Sequence, residues 1–239
     1  MSSAGYVSLT RQTGLLSEMQ TIANNIANLA TTGYRREGVV FAEFIRDAGR
    51  GQDSVSYADA HGRLTDAAQG ALDATGSAFD FAIEGPGFFL LDTPDGERLT
   101  RAGAFTPNQN GELVSPDGFR LLDSGGAAIF IPPDAGNVAL AGDGTLSADG
   151  QPLARVGIYL PEDPNTLSRS AGTMFRAEGG IAPVENPRLF QGFLEQSNVS
   201  PVSEMARMIE VQRAYELGQK FLDREDDRVR AVIRTLGQS

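Results

Sequence analysis

The 239-residue chain contains no cysteine. A disulfide framework and a thiolate zinc site are therefore excluded, and the fold must rest on packing alone. Histidine occurs once, at His61. Metal and catalytic sites need convergent partners, so the expected role of this lone imidazole is a solvated side chain. Basic residues are scarce: 20 Lys and Arg stand against 31 Asp and Glu, a formal net charge of −11. That balance opposes broad contact with nucleic acid or with an anionic membrane surface, and neither is expected as a partner. No run of about 18 apolar residues occurs, so no membrane insertion is expected. Met1-Ser2-Ser3-Ala4-Gly5-Tyr6-Val7 lacks the basic and continuous apolar regions of a cleavable signal peptide, which predicts a soluble chain without a Sec signal.

What is present is enough for a core, since 41% of the residues are hydrophobic and the length suits one large domain or two small ones. Along residues 8–30, Leu15, Met19, Ile22, Ile26 and Leu29 recur at steps of three and four, with Leu16 and Ala23 widening the stripe. That spacing places them on one face of a helix. The opposite face is Gln20, Asn24 and Asn28, with Thr21 and Asn25 beside them, and Arg11 and Glu18 are the only charges before Tyr34. Uncharged amides can be buried at far smaller desolvation cost than carboxylates or ammonium groups. The expectation is a helix buried by partners on both faces, against the plainer alternative of a helix lying on its own domain with a polar outer face. Thr31, Thr32 and Gly33 are expected to end it, Gly33 as a left-handed cap and Arg35 and Arg36 near the negative end of the dipole.

From residue 37 to 76 the pattern weakens. Phe41, Phe44 and Ile45 could extend a short apolar segment, while residues 47–63 are dominated by Gly, Asp, Ser, Gln and Ala, so a linker or an exposed hairpin is expected. From Phe79 the period becomes that of strands, with Phe79 to Ile83 and Phe88 to Leu91 around a Gly85-Pro86-Gly87 break. Turn signals follow at Asp95-Gly96, Asn110-Gly111, Asp117-Gly118, Asp143-Gly144 and Asp149-Gly150. Between them lie candidate strands at Leu113-Val114, Phe119 to Leu122, Ile129 to Ile131 and Val156 to Leu160, the pattern of an antiparallel β domain. The acidic ligand spacing of a calcium loop is absent from these turns, so plain hairpins are the better reading. After Pro161 the segment to Phe190 reads as a loop-rich return.

A second helix starts clearly at Ser200 as N-cap, Pro201 at the first helical position and Glu204 in the first turn. Met208, Tyr215, Leu222, Val229 and Leu236 then stand seven residues apart, with Val202, Met205, Ile209 and Phe221 broadening the stripe early and Val232 and Ile233 late,. As one helix, residues 201–237 would span about 55 Å. Gly218 and Glu225 interrupt the second seam position, which weakens the case for a two-stranded homodimeric zipper.

No phosphate-binding loop, dinucleotide fingerprint, nucleophile elbow or zinc-protease helix is present. Asp80 and Glu84 are the best candidates for a paired-carboxylate site, but so many acids make such neighbours commonplace. Asn198-Val199-Ser200 matches a glycosylation sequon, and a helix-capping turn accounts for it better. No enzyme, cofactor or metal is expected.

Three segments carry a family resemblance. Asn24-Asn25-Ile26-Ala27-Asn28 with Thr32-Gly33-Tyr34-Arg35 is one, and Asp80 to Phe89 with Thr100-Arg101-Ala102-Gly103-Ala104-Phe105 is the second. Gly192 to Val199, followed by Glu204-Met205, Met208-Ile209 and Gln212 to Glu216, is the third. In this order they resemble the axial proteins of the bacterial flagellum, and among them the basal-body rod proteins. Ile131-Pro132, Asp143-Gly144-Thr145-Leu146 and the second Asp149-Gly150 turn are more similar to the proximal than to the distal rod. Tyr34 replaces the usual phenylalanine, Arg35 a lysine, and Ser77-Ala78-Phe79 a common Gly-Asn-Pro-Leu wording.

The resemblance implies an α+β chain whose N- and C-terminal helices pack as a coiled-coil-like assembly element carrying a central, mainly antiparallel β domain. The corresponding division is residues 1–36, an N-terminal assembly helix; 37–76, a linker or extended hairpin; 77–190, the β domain; and 191–239, a C-terminal assembly helix. It further implies export through the flagellar type III apparatus and polymerisation, with itself and with proximal and distal rod subunits, into a periplasmic drive shaft. The expected interface comprises Leu15, Met19, Ile22, Asn24, Asn25, Ile26, Asn28 and Leu29 on the first helix. On the second side it comprises Asn198, Val202, Met205, Met208, Ile209, Tyr215, Leu222, Val229 and Leu236. A ligand-binding or carbohydrate-active periplasmic β domain is the rival reading, and it requires an apolar cleft with convergent polar groups.

Overall fold

The structure is a computed structural model that describes residues 3–46 and 55–236. It is α+β, and it divides into two compact units: residues 1–27, 37–66 and 200–239 form one, residues 28–36 and 67–199 the other.

The first unit holds helix α1 (Ser3–Ala27), the antiparallel ribbon of β1 (Glu37–Arg46) and β2 (Val55–Thr65), and helix α2 (Pro201–Leu236). Both strands of the ribbon pair in register except for a shift between Val40 and Phe41. The described residues of this stretch, for which a linker or an exposed hairpin is expected, form an antiparallel two-stranded ribbon. The side chains of Phe41, Phe44, Ile45 and His61 lie outside the described residues. α2 starts at Pro201, where Glu204 N–H donates to Ser200 O at 3.0 Å. α1 ends earlier than its apolar period predicts, at Ala27 rather than at residue 30.

The second unit is built from short antiparallel strands. These are β3 (Leu72–Ala74), β4 (Phe81–Glu84), β5 (Phe88–Thr93), β6 (Gly96–Thr100), β7 (Thr106–Pro107), β8 (Leu113–Val114), β9 (Arg120–Leu121), β10 (Val138–Leu140), β11 (Thr145–Ala148), β12 (Gln151–Arg155), β13 (Ile158–Pro161), β14 (Leu167–Ala171), β15 (Met174–Ala177), β16 (Ile181–Pro183), β17 (Arg188–Gln191) and β18 (Phe193–Glu195). The largest sheet runs β14-β15-β6-β5-β9-β8-β7, with β13 also on β5 and β16 on β13. A separate meander is β10-β11-β12, and the pairs β17-β4 and β18-β3 complete the unit. All five predicted turns join consecutive strands, and Gly96, Gly111, Gly118, Gly144 and Gly150 all take positive φ.

β5 explains the core. Phe89 and Leu91 point into one cluster with Phe81, Phe105, Leu113 and Leu121, while Leu90 points into a second with Leu99, Tyr159 and Phe175. A strand covered on both faces reads as a continuous apolar run, as Phe88-Phe89-Leu90-Leu91 does. The rings of Phe89 and Phe105 meet edge to face at 5.4 Å.

Three expectations are corrected. The stretch after Pro161 is not loop-rich: it holds β14 to β18, whose apolar residues are single or paired and interrupted by Gly172, Gly180 and Gly192 at positive φ. Strands this short carry too little period to be read as such. Ile129 to Ile131 forms no strand; Ile129 and Ile131 are buried while Phe130 makes an isolated bridge to Glu112. The segment leading into α2 is also extended, since β18 pairs with β3 before the helix begins.

Candidate assembly interface

α1 and α2 run antiparallel, because contacts that step down α1 climb α2. Asn25 Nδ2 donates to Glu204 Oε2 at 3.1 Å, Arg207 Nε pairs with Glu18 Oε1 at 2.6 Å, and Gln12 Nε2 donates to Tyr215 O at 3.0 Å. The hydrogen bond to Glu18 raises the Arg207 pKa above its ordinary value. Gln12 also occupies the space a side chain at residue 218 would need: a Cβ on Gly218 would lie 2.2 Å from Gln12 Nε2. The gap that Gly218 leaves in the apolar seam is therefore filled from α1.

The α2 seam follows the heptad. Glu204 and Val211 are buried, and Met208, Tyr215, Gly218, Leu222 and Glu225 are half-buried. From Asp226 onward every described residue is exposed, Val229 and Leu236 included. Val202, Met205, Ile209 and Phe221 do not broaden the seam as expected; they are 78%, 56%, 50% and 49% exposed. The physical reason is angular. At 100° per residue, 202, 205 and 209 fall on the side of α2 away from 204, 208 and 211.

α1 inverts the expected polarity. Its buried residues include Gln12, Glu18, Thr21 and Asn25 beside Ile22, while Leu15, Met19 and Ile26 are half-buried and Leu9, Leu16 and Asn24 are exposed. Asn25 has no exposure at all. Its amide closes a two-way bond on the start of β1: Nδ2 donates to Glu37 O at 2.8 Å and Oδ1 accepts from Glu37 N–H at 3.0 Å. The asparagine is thus buried by its own chain, where an amide matches a peptide group donor for acceptor.

In the β unit the segment after α1 is clamped to the segment before α2. Asn198 repeats the amide device: Oδ1 accepts from Arg36 N–H at 2.6 Å, and Nδ2 donates to Ala68 O at 2.8 Å. Asn28 and Leu29 are half-buried, and Asn28 Oδ1 accepts from Thr31 Oγ1 at 3.0 Å. Gly33 is no helix cap. It stands beyond the end of α1 at φ +69°, donates its N–H to Glu195 O at 2.7 Å, and a Cβ there would lie 2.3 Å from Ala102 N.

Arg35 likewise answers no helix dipole. It is buried and pairs with Glu195 Oε1 at 2.9 Å, while Arg101 approaches Glu195 Oε2 at 3.4 Å and Gly70 N–H donates to Oε1 at 3.0 Å. One buried carboxylate serves two guanidinium groups. Arg35 also donates to Ala68 O, and Arg101 donates to Gly85 O and, at 3.3 Å, to Ile83 O. Burial lowers the Arg101 pKa to about 10, although Glu195 acts in the opposite direction. Arg169 covers the same strap, its guanidinium 4.3 Å above the Tyr34 ring and 4.7 Å from that of Phe175, with Nη2 donating to Arg35 O at 2.5 Å. Cation–π contact of this kind strengthens when desolvated.

Sequence reasoning missed Gln12, Glu18, Arg101, Arg169 and Glu195 as contact residues. A charge inside an otherwise apolar or uncharged motif was the available signal for Glu18, Arg101 and Glu195. Asp80 and Glu84 do not converge on a cleft: Asp80 accepts from Thr75 Oγ1 at 2.6 Å, and Glu84 pairs with Arg188 at 3.5 Å.

Residues 6–35 match the family described as flagella basal body rod protein, residues 82–148 the D1 domain of flagellar hook protein FlgE/F/G, and residues 191–235 the C-terminal part of flagellar basal body rod FlgEFG proteins. These segments include α1, the centre of the large sheet, and β18 with α2. Flagellar basal-body rod protein FlgF of Mesorhizobium japonicum is 38% identical over 99% of both chains. The chain belongs to the flagellar basal-body rod protein family. FlgF of Caulobacter vibrioides is also 38% identical, over all of this chain and 99% of that one, whereas FlgG of Bacillus subtilis is 28% identical over 95% and 97%. The family member described here is accordingly a structural subunit of the bacterial flagellar rod, more similar to FlgF than to FlgG. No helix among the described residues is long and apolar enough to cross a membrane.

Proposed function

We propose that this rod subunit polymerises through α1 and α2 into the proximal part of the periplasmic drive shaft, joining copies of itself to neighbouring rod subunits, and that it reaches that place through the flagellar type III apparatus without losing a signal peptide. The observation that carries this reading is α2 itself. It is 36 residues long, buries only Glu204 and Val211, and leaves Val202, Met205, Ile209, Leu217, Phe221, Val229, Val232, Ile233 and Leu236 exposed. An apolar surface of this extent on one helix is a site awaiting protein neighbours. Torque transmission follows if many copies share such contacts, since contacts between unlike surfaces that do not close into a ring repeat as a helical array. The interface residues of the two helices then divide into those that join α1 to α2 within a subunit, Ile22, Asn25, Met208 and Tyr215, and those that face other subunits, Val202, Met205, Ile209, Val229 and Leu236.

Electron microscopy of purified basal bodies carrying labelled subunits tests the position. Label at the proximal rod supports the proposal; label confined to the distal rod, or missing from basal bodies, defeats it. Mass analysis of the secreted chain reads out export, the expected result being an N-terminus identical before and after secretion.

A further inference from the structure

The antiparallel register sets the end of the helix pair. Gln12 meets Tyr215, so at equal rise Ser3, the first described residue of α1, comes level with about residue 224. The burial of α2 agrees, as Glu225 is its last half-buried residue. Beyond that point α2 continues for about 16 Å. The seam does not stop with α1: positions 208, 215 and 222 are followed by Val229, and 211, 218 and 225 by Val232, with Ile233 beside them. Val229, Val232 and Ile233 are 42%, 48% and 64% exposed. A seam that accepts an antiparallel helix in its first part presents the same kind of face in its last part. What covers it should resemble α1.

α1 has such a face to offer. Leu9 and Leu16, seven residues apart, are 47% and 48% exposed, on the side away from buried Thr21 and Asn25. In antiparallel order, Leu16 falls opposite Val229, Thr13 opposite Val232 and Leu9 opposite Leu236. Arg11 and Glu18 are the only ionised residues of α1, and Glu18 pairs with Arg207 on the opposite side, so the Arg228, Arg230 and Arg234 flanks of the overhang meet no opposing cation cluster there. We infer that the last three turns of α2, from Asp226 to Leu236, seat on the Leu9–Leu16 face of α1 in a second copy of the chain. This rests on the rod reading and gives one of its lateral contacts a register. Donor and acceptor are different surfaces of the same chain, so the contact is heterologous and propagates. Three turns of helix bury far less than the about 800 Å² per partner of a stable pair, so the contact acts within the array and makes no stable dimer alone.

The absence of cysteine makes disulfide trapping clean. In one arm, a chain carrying Leu16→Cys and Val229→Cys is oxidised within isolated basal bodies. In the other, purified Leu16→Cys and Val229→Cys chains are mixed at high concentration. The expected result is a ladder of linked subunits in the first arm and a mixed dimer in the second, both lost when Leu9→Cys replaces Leu16→Cys or when Val202→Cys replaces Val229→Cys. Unlinked subunits in basal bodies that contain the doubly substituted chain would overturn the contact, as would linkage by the swapped pairs. A mixed dimer in solution with the chain missing from basal bodies would keep the contact and defeat the rod reading, so the two failures are separable. Circular dichroism of each variant, expected to match the wild-type helix content, guards against misfolding.

Discussion

The two units bury opposite kinds of residue. In the β unit the interior is Phe81, Phe89, Phe105, Leu113, Leu121 and their neighbours, and its buried charges, Arg35, Arg101 and Glu195, are grouped at one point. In the helical unit the described buried side chains are mostly polar, among them Gln12, Glu18, Thr21, Asn25 and Glu204 beside Ile22 and Val211, and many large apolar residues, such as Leu9, Leu16, Met205 and Ile209, are exposed. One unit buries most of its large apolar side chains within the chain, with Phe130 and Phe190 as exposed exceptions. Among the described residues the other joins its helices by hydrogen bonds and the Arg207–Glu18 ion pair, while apolar residues such as Met205 and Ile209 stay exposed. Such an arrangement suits a subunit of an assembly, because hydrophobic contact is non-directional and needs a prior geometry to be specific.

The comparison can be broken at four places. The largest effect is expected at Glu195. Its replacement by Ala leaves Arg35 and Arg101 buried and facing each other, which should cost the β unit about 3–5 kcal/mol in chemical denaturation. A loss below about 1 kcal/mol would mean that the guanidinium groups are hydrated there, and the β unit would no longer count as dry. Next is Asn25→Ala, which removes the bonds that Asn25 makes to the Glu37 peptide group and to Glu204 and should cost about 1–3 kcal/mol. Hydrogen exchange at the Glu37 amide should accelerate with it, and an unchanged rate would show that the helical unit does not depend on its polar interior. Met205→Gln is smaller in stability, within about 0.5 kcal/mol of wild type because the side chain is 56% exposed,. Incorporation into rods should nevertheless fall, and undiminished incorporation would sever exposure from assembly.

The smallest effect is a matter of pH. Asp143, exposed in the Asp143-Gly144 turn, accepts from Thr145 N–H at 3.0 Å and from Thr145 Oγ1 at 3.1 Å, and these bonds hold its pKa below the ordinary carboxylate value. A depressed carboxylate pKa contributes stability above the unfolded pKa and loses it as pH falls through the folded one. Asp143→Asn should therefore flatten the acid limb of the stability curve slightly, and NMR titration of wild type should place the Asp143 midpoint below a peptide reference.

Much of this was legible in the residues. The five Gly-containing turn pairs announced hairpins because each supplies a positive φ that a tight turn requires, and the start of α2 at Pro201 was legible in the Ser200-Pro201 pair, proline being suited to the first helical position,. The strands after Pro161 were not legible, since three to five residues hold too little alternation. Burial on α1 was misread for a different reason. Periodicity reports which residues share a face, and the partner decides whether that face is covered; Asn25 is inside because Glu37 and Glu204 arrive there.

The sequence by itself determined the two amphipathic helices, the hairpin turns, the lack of any thiol chemistry and the family to which the chain belongs. These depend on neighbours within a few turns, or on motif order. Tertiary structure alone decided that Gly33 must be bare to pass Ala102, that Gly218 makes room for Gln12, and that Glu195 answers both Arg35 and Arg101. Each joins residues far apart in the chain, and no local propensity encodes the approach of a distant backbone or the sharing of a single buried charge.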